Sequence, residues 1–134
     1  MIIDVLEVLL DYLLTKTELT NLVSTRIFGN GLPPAENSHM PRKCVVIREH
    51  GGIERNDEMP LLSPRMHIRS YGETSFAAGQ VDRAVYTALK AVLRVTQSST
   101  ILHSVGLGRG ATSGVDPDTG WEYKDRLCTV HACS

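Results

Sequence analysis

The sequence predicts an α/β domain of the α+β kind, with a mostly antiparallel sheet of four to five strands and two main helices packed on it. Three observations lead there. Two stretches carry apolar residues at helical spacing, several short runs have strand character with one alternating strictly, and Asp116-Pro117-Asp118-Thr119-Gly120 gives a hairpin signal between the last two runs.

In residues 2 to 14, Ile2, Leu6, Leu9, Leu10 and Leu13 fall on one helical face, with Asp4, Glu7 and Asp11 mostly elsewhere. Asp4 and Glu7 suit the positive end of the helix dipole. Thr17 then offers a cap for a short second helix that turns Leu19, Leu22 and Val23 inward. Thr25-Arg26-Ile27-Phe28 reads as a short strand packing Ile27 or Phe28 on the first helix, halted by Gly29-Asn30-Gly31-Leu32-Pro33-Pro34. Either that turn throws the chain outward, the two prolines blunting the strand end, or it is a plain loop between two core strands.

Residues 43 to 49 form a strand whose centre, Cys44-Val45-Val46-Ile47, is nearly continuous and therefore buried on both faces. Residues 50–63 contain Gly51-Gly52, Pro60 and several charges and read as a long loop, which in a compact domain is usually functional or disordered. From Arg65 to Tyr71 the chain alternates, with Met66 and Ile68 on one side and Arg65, His67, Arg69 and Tyr71 on the other. Residues 75 to 95 are helical, with Val81, Ala84, Val85, Ala88, Leu89, Val92 and Leu93 in one wide stripe. Two antiparallel strands, 100 to 107 and 121 to 132, complete the sheet around a hairpin tip at 108–120.

A chain of 134 residues fits one domain, residues 1–134. With 42% apolar and 22% charged residues it has an ordinary globular composition. The net charge of −1 leaves no basic excess for neutralising a phosphate backbone, which argues against nucleic-acid binding as the main activity. Three cysteines without framework spacing, and a start lacking a basic n-region, are read as synthesis in the cytoplasm with reduced thiols. The apolar N-terminal run is short and carries three acids, so no membrane partner is expected.

Taken together, the N-terminal helix, Leu22-Val23 before Thr25-Arg26-Ile27-Phe28, Leu32-Pro33-Pro34, Pro41-Arg42-Lys43-Cys44-Val45-Val46-Ile47, the alternating Met66 to Tyr71 strand, the helix from Ser75 and the closing hairpin with Tyr123 to Val130 form a pattern. It resembles the tail terminator family of long-tailed bacteriophages, the tail-completion or tail-to-head joining proteins, over most of the chain in order and length. The resemblance implies a virion protein, made in the host cytoplasm, that forms a hexameric ring on the head-proximal end of the tail tube. Such a ring stops tube polymerisation and offers a docking surface to the head connector. The implied partners are further copies of the chain, the tail tube protein, the head–tail connector or neck protein, and DNA passing through the ring lumen without sequence-specific binding. The rival reading is a head-completion or neck connector protein that binds the portal side. The 50–63 loop and the Gly-rich 106 to 114 segment depart from the family pattern.

Candidate interface residues follow from exposure and chemistry. Arg65, His67 and Arg69 make a polar strand face that is either solvated, set against acids of a neighbouring subunit, or close to DNA. Arg55, Asp57 and Glu58 lie in the long loop, which could cross to a neighbour. Arg109, Asp116, Asp118 and Trp121 belong to the hairpin that could face the tube; Trp121 is either an interface anchor or the edge of the core closing the hairpin.

No cofactor and no metal are expected. Cys128, His131 and Cys133 gather soft ligands, with Cys44, His67 and His103 available across a sheet, but the second ligand pair of a structural zinc site is missing. Strand alternation also turns Cys128 away from His131 and Cys133. Gly106-Leu107-Gly108-Arg109-Gly110 opens no helix and lacks the Lys-Ser/Thr of a phosphate loop. Asp116, Asp118 and Gly120 imitate half of a calcium loop whose twelfth position is Leu127 instead of Glu. With no Gly-x-Ser-x-Gly and no paired-histidine motif, the chain is not expected to be an enzyme.

Overall fold

The computed structural model describes residues 4–53, 61–97, 99–107 and 110–133. In chain order these form α1 (Val5–Leu14), α2 (Thr17–Val23), β1 (Ile27–Gly29), a 3₁₀ helix (Pro34–His39), β2 (Cys44–Ile53), β3 (Leu61–Gly72), α3 (Ser75–Lys90), β4 (Val95–Gln97), β5 (Thr100–Leu107), β6 (Thr112–Val115) and β7 (Glu122–Cys133). The sheet runs β1-β2-β3-β7-β5-β4, and β6 pairs with the remaining length of β7. Seven strands replace the four to five expected. The sheet is mixed as well, because β1 runs parallel to β2 while the other pairs are antiparallel.

Asp4 caps α1 by accepting the Glu7 amide at 3.2 Å, so it precedes the helix instead of lying within it. Leu6, Leu9 and Leu13 are buried as their spacing requires, joined by Val5, Val8 and Tyr12. Ile2 of that stripe lies outside the described residues. The Tyr12 hydroxyl donates to the Ala88 carbonyl at 2.8 Å, which satisfies its polar end inside the core and ties α1 to α3. Thr17 is the first residue of α2 and makes no side-chain cap. Ile27 enters the core and Phe28 faces the other side of the sheet, while Gly29 lies so close to Leu10 that a β-carbon there would come within 2.9 Å of its δ-carbon.

The helices cover one sheet face. Leu9, Leu19, Ile47, Ile68, Leu89 and Leu102 are fully enclosed there, each worth about 1.5–3 kcal/mol relative to exposure. α1 touches β1 and β2 at one end of the sheet and β4 at the other, so the sheet curls around the helical layer. Thr74 caps α3 by accepting the Ala77 amide at 3.1 Å. Gly72 lets the first turn of α3 press on the end of β3, since a β-carbon there would sit 2.4 Å from the Ala78 nitrogen. α3 is pinned to β7 by Arg126, whose Nη2 and Nε donate to the two Asp82 carboxylate oxygens at 2.9 and 3.2 Å.

Three expectations need correction. β2 and β3 extend into the 50–63 segment as antiparallel partners, its residues 54–60 lying outside the described residues; a register shift between Glu49 and Gly52 absorbs the glycine pair, and Pro64 stands opposite Gly52. α3 ends at Lys90 and the chain turns at Arg94 with φ 50°, so Leu93 leaves the apolar stripe and is 76% exposed. Within the 108–120 segment, 112–115 is strand β6, which confines the tip to Asp116–Gly120.

Candidate assembly interface

Period-two alternation delivers a second surface on the sheet face opposite the helices. From β2 it takes Cys44, Val46 and Arg48, from β3 Arg65, His67, Arg69 and Tyr71, and from β7 Tyr123, Asp125 and Leu127. Cross-strand register sets Tyr71 opposite Tyr123, Arg69 opposite Asp125 and Arg48 opposite His67. Arg65, His67 and Arg69 are thus brought together as expected, and Met66 and Ile68 point into the core.

One end of this face is apolar and aromatic. Cys44, Val46 and Tyr71 are buried there under Phe28, Leu32, Met40, Trp121 and Tyr123. Tyr71 meets both Trp121 and Tyr123 edge-on, with ring centroids 6.0 and 6.3 Å apart. Burial pushes the Cys44 thiol up to about 12 and raises Tyr71 above the ordinary phenol range, so both stay neutral.

The other end is charged. Arg69 clasps Asp125 through Nε to Oδ1 at 2.7 Å and Nη2 to Oδ2 at 3.0 Å, and its guanidinium lies 3.9 Å over the Tyr123 ring. That fork fixes the arginine in one geometry and holds it firmly protonated, chiefly through the Asp125 hydrogen bond. His67 Nε2 reaches the same carboxylate at 3.3 Å, and the His50 ring lies 6.3 Å from the His67 ring. Arg48 and Arg65 are exposed and make no ion pair with a described residue. Arginine, tyrosine, tryptophan and methionine on one face, with few lysines or glutamates, is the composition of a protein–protein contact surface.

At the hairpin tip, the Asp118 and Thr119 amides donate to Asp116 Oδ1 at 2.9 and 3.3 Å, so Asp116 serves its own turn while Asp118 is exposed. Gly120 takes φ 75°, the left-handed conformation that glycine permits. Trp121 is half-buried at the edge of the aromatic cluster. Arg55, Asp57, Glu58 and Arg109 lie outside the described residues.

Sequence reasoning missed Asp125, the carboxylate that organises this face. Its signal was present in the alternation of Tyr123, Asp125 and Leu127 against Lys124, Arg126 and Cys128. The soft ligands disperse: His131 Nδ1 is 2.9 Å from Ser63 Oγ, His103 Nε2 is 3.1 Å from Cys133 Sγ, and Cys128 is buried with its thiol pushed up to about 12. Among the described residues no group of three or more His, Cys, Asp or Glu is placed to hold a metal ion, and no helix is long and apolar enough to cross a membrane.

No protein-family model and no curated protein matches this sequence. The fold has a counterpart among solved structures. A chain described as "Virion of native gene transfer agent (GTA) particle" superposes with a TM-score of 0.66 over 88% of this chain and 86% of that one, at 16% sequence identity. At that identity the likeness is one of fold.

Proposed function

We propose that this chain is a structural virion protein that forms a ring, hexameric in the resemblance drawn above, at the head-proximal end of a phage tail tube. It acts by shape and breaks no covalent bond. One ring face binds the last tube ring, the other offers no tube site and so halts growth, and the finished ring docks the head connector while DNA passes through its lumen. The observation that carries this reading is the fold shared, over 88% of this chain, with a chain of a virion particle. It agrees with the order of elements that prompted the resemblance, and the reverse sheet face has the composition such contacts use.

In a cyclic ring every contact is heterologous, so each subunit needs two different complementary patches. Mixing the purified protein with tail tubes and with portal rings tests the proposal. Binding to the tube end alone, together with over-long tails in micrographs of particles assembled without the protein, is the expected result. Binding to portal alone would favour the neck connector reading, and tails of normal length in its absence would remove the termination role.

A further inference from the structure

We propose that the charged end of the reverse sheet face receives the acidic outer stripe of α1 from a second copy of the chain, giving the head-to-tail contact of the ring. This deepens the ring reading and rests on it.

The two surfaces are opposite in sign. On the sheet face, among the described residues, Arg48, Arg65 and Arg69 stand against the one carboxylate of Asp125, with His50 and His67 alongside. Of the acids bordering the aromatic end, Glu36 pairs with Arg42 and Asp116 accepts the amides of its own turn, and Glu49, next to Arg48, stands opposite Met66 on the alternate side of β2. On α1, Asp4, Glu7, Asp11 and Leu14 recur at steps of three and four residues, which places them on one side of the helix. Asp4, Glu7 and Leu14 are exposed, Asp11 is partly so, and exposed Glu18 follows at the start of α2. None of these acids forms an ion pair with a described residue, and Lys16, the base nearest in sequence, lies over the Tyr12 ring at 4.6 Å.

Placement decides the geometry. The buried side of α1 rests on the opposite sheet face from the arginines, so the acidic stripe points away from the basic surface of its own subunit. One chain cannot bring the two together. Two copies related by a two-fold axis through either patch would set like charges against each other, whereas a head-to-tail arrangement matches acid to base at every contact and leaves both patches in use. Each surface also carries an exposed apolar residue, Leu14 on the stripe and Leu127 on the sheet, to be covered in the same contact.

The test uses the full chain and two charge reversals, Arg48→Glu with Arg65→Glu on the sheet and Glu7→Arg with Asp11→Arg on the helix, leaving the Asp4 cap intact. Light scattering across a concentration series, with circular dichroism to verify folding, reads the outcome. The wild type is expected to assemble, less well as salt rises, and each reversal alone to weaken assembly by tenfold or more. An equimolar mixture of the two reversals is expected to reassemble, because each inverted surface then meets an inverted partner and each native surface a native one. If a reversal unfolds the chain, the neutral variants Arg48→Gln with Arg65→Gln and Glu7→Gln with Asp11→Gln are read the same way, each expected to weaken assembly several-fold. Wild-type assembly that is indifferent to both reversals, failure of the mixture to recover, or capture of a DNA duplex by the sheet face in place of a second copy overturns the docking and leaves the ring reading standing. A wild type that stays monomeric even with tail tubes present removes both.

Discussion

Replacing Asp82 with alanine strands the Arg126 guanidinium at the α3–β7 junction. The side chains of this pair are only 6% and 9% exposed, and two hydrogen bonds join them. Removing one member of a buried pair typically costs about 3–5 kcal/mol, because the surviving charge is left without compensation. Arg126 keeps one favourable neighbour, the Tyr86 ring 4.7 Å away, a contact worth about 0.5–2 kcal/mol. The lower end is therefore expected, about 3 kcal/mol, or a fall in Tm of about 10 °C for a chain of this size. Urea unfolding, with an unchanged slope, measures it. Asp82→Leu combined with Arg126→Met is expected to cost less than Asp82→Ala alone, since an apolar replacement leaves no buried charge. A loss below about 1 kcal/mol for Asp82→Ala, or strict additivity of the two positions, would refute the claim that this pair clamps α3 to the sheet.

Three further outcomes are expected. Gly72→Ala forces a methyl group against the Ala77–Ala78 backbone and should cost about 3 kcal/mol in chemical denaturation, a loss under about 1 kcal/mol contradicting the close approach. Trp121→Ala removes one edge of the aromatic cluster on the reverse face and should lower stability by about 2 kcal/mol while weakening assembly; a variant that assembles normally would confine Trp121 to closing the hairpin. The thiols of Cys44 and Cys128 are raised from 9.0 to about 12 by burial, so between those values the unfolded chain releases protons that the folded chain keeps. Stability should therefore be intact below pH 9 and decline as pH climbs toward 12. Cys128→Ala should make that decline shallower, and an unaltered slope would sink the assignment.

Much of this arrangement was legible because it follows period. Strict alternation from Arg65 to Tyr71 placed three basic side chains on one face and Met66 and Ile68 in the core, and the four-residue apolar run at Cys44 announced burial on both sides. What escaped depends on partners distant in the chain. Thr112-Ser113-Gly114-Val115 has no apolar alternation of its own and becomes a strand because β7 supplies its hydrogen bonds. Asp82 looks like a solvent-facing residue of a helix until Arg126, 44 positions away, closes on it. The glycine pair at 51–52 reads as a break locally, yet a shifted ladder accommodates it.

β7 borders β3 along its entire length on one side and meets β6 and then β5 in succession on the other. A single backbone thus runs from the Asp116–Gly120 turn, past the carboxylate that fixes Arg69, to Arg126, which grips α3. The turn and the body of the subunit therefore share one unbroken strand, so a contact that displaces the turn acts on the same backbone that carries Asp125 and Arg126.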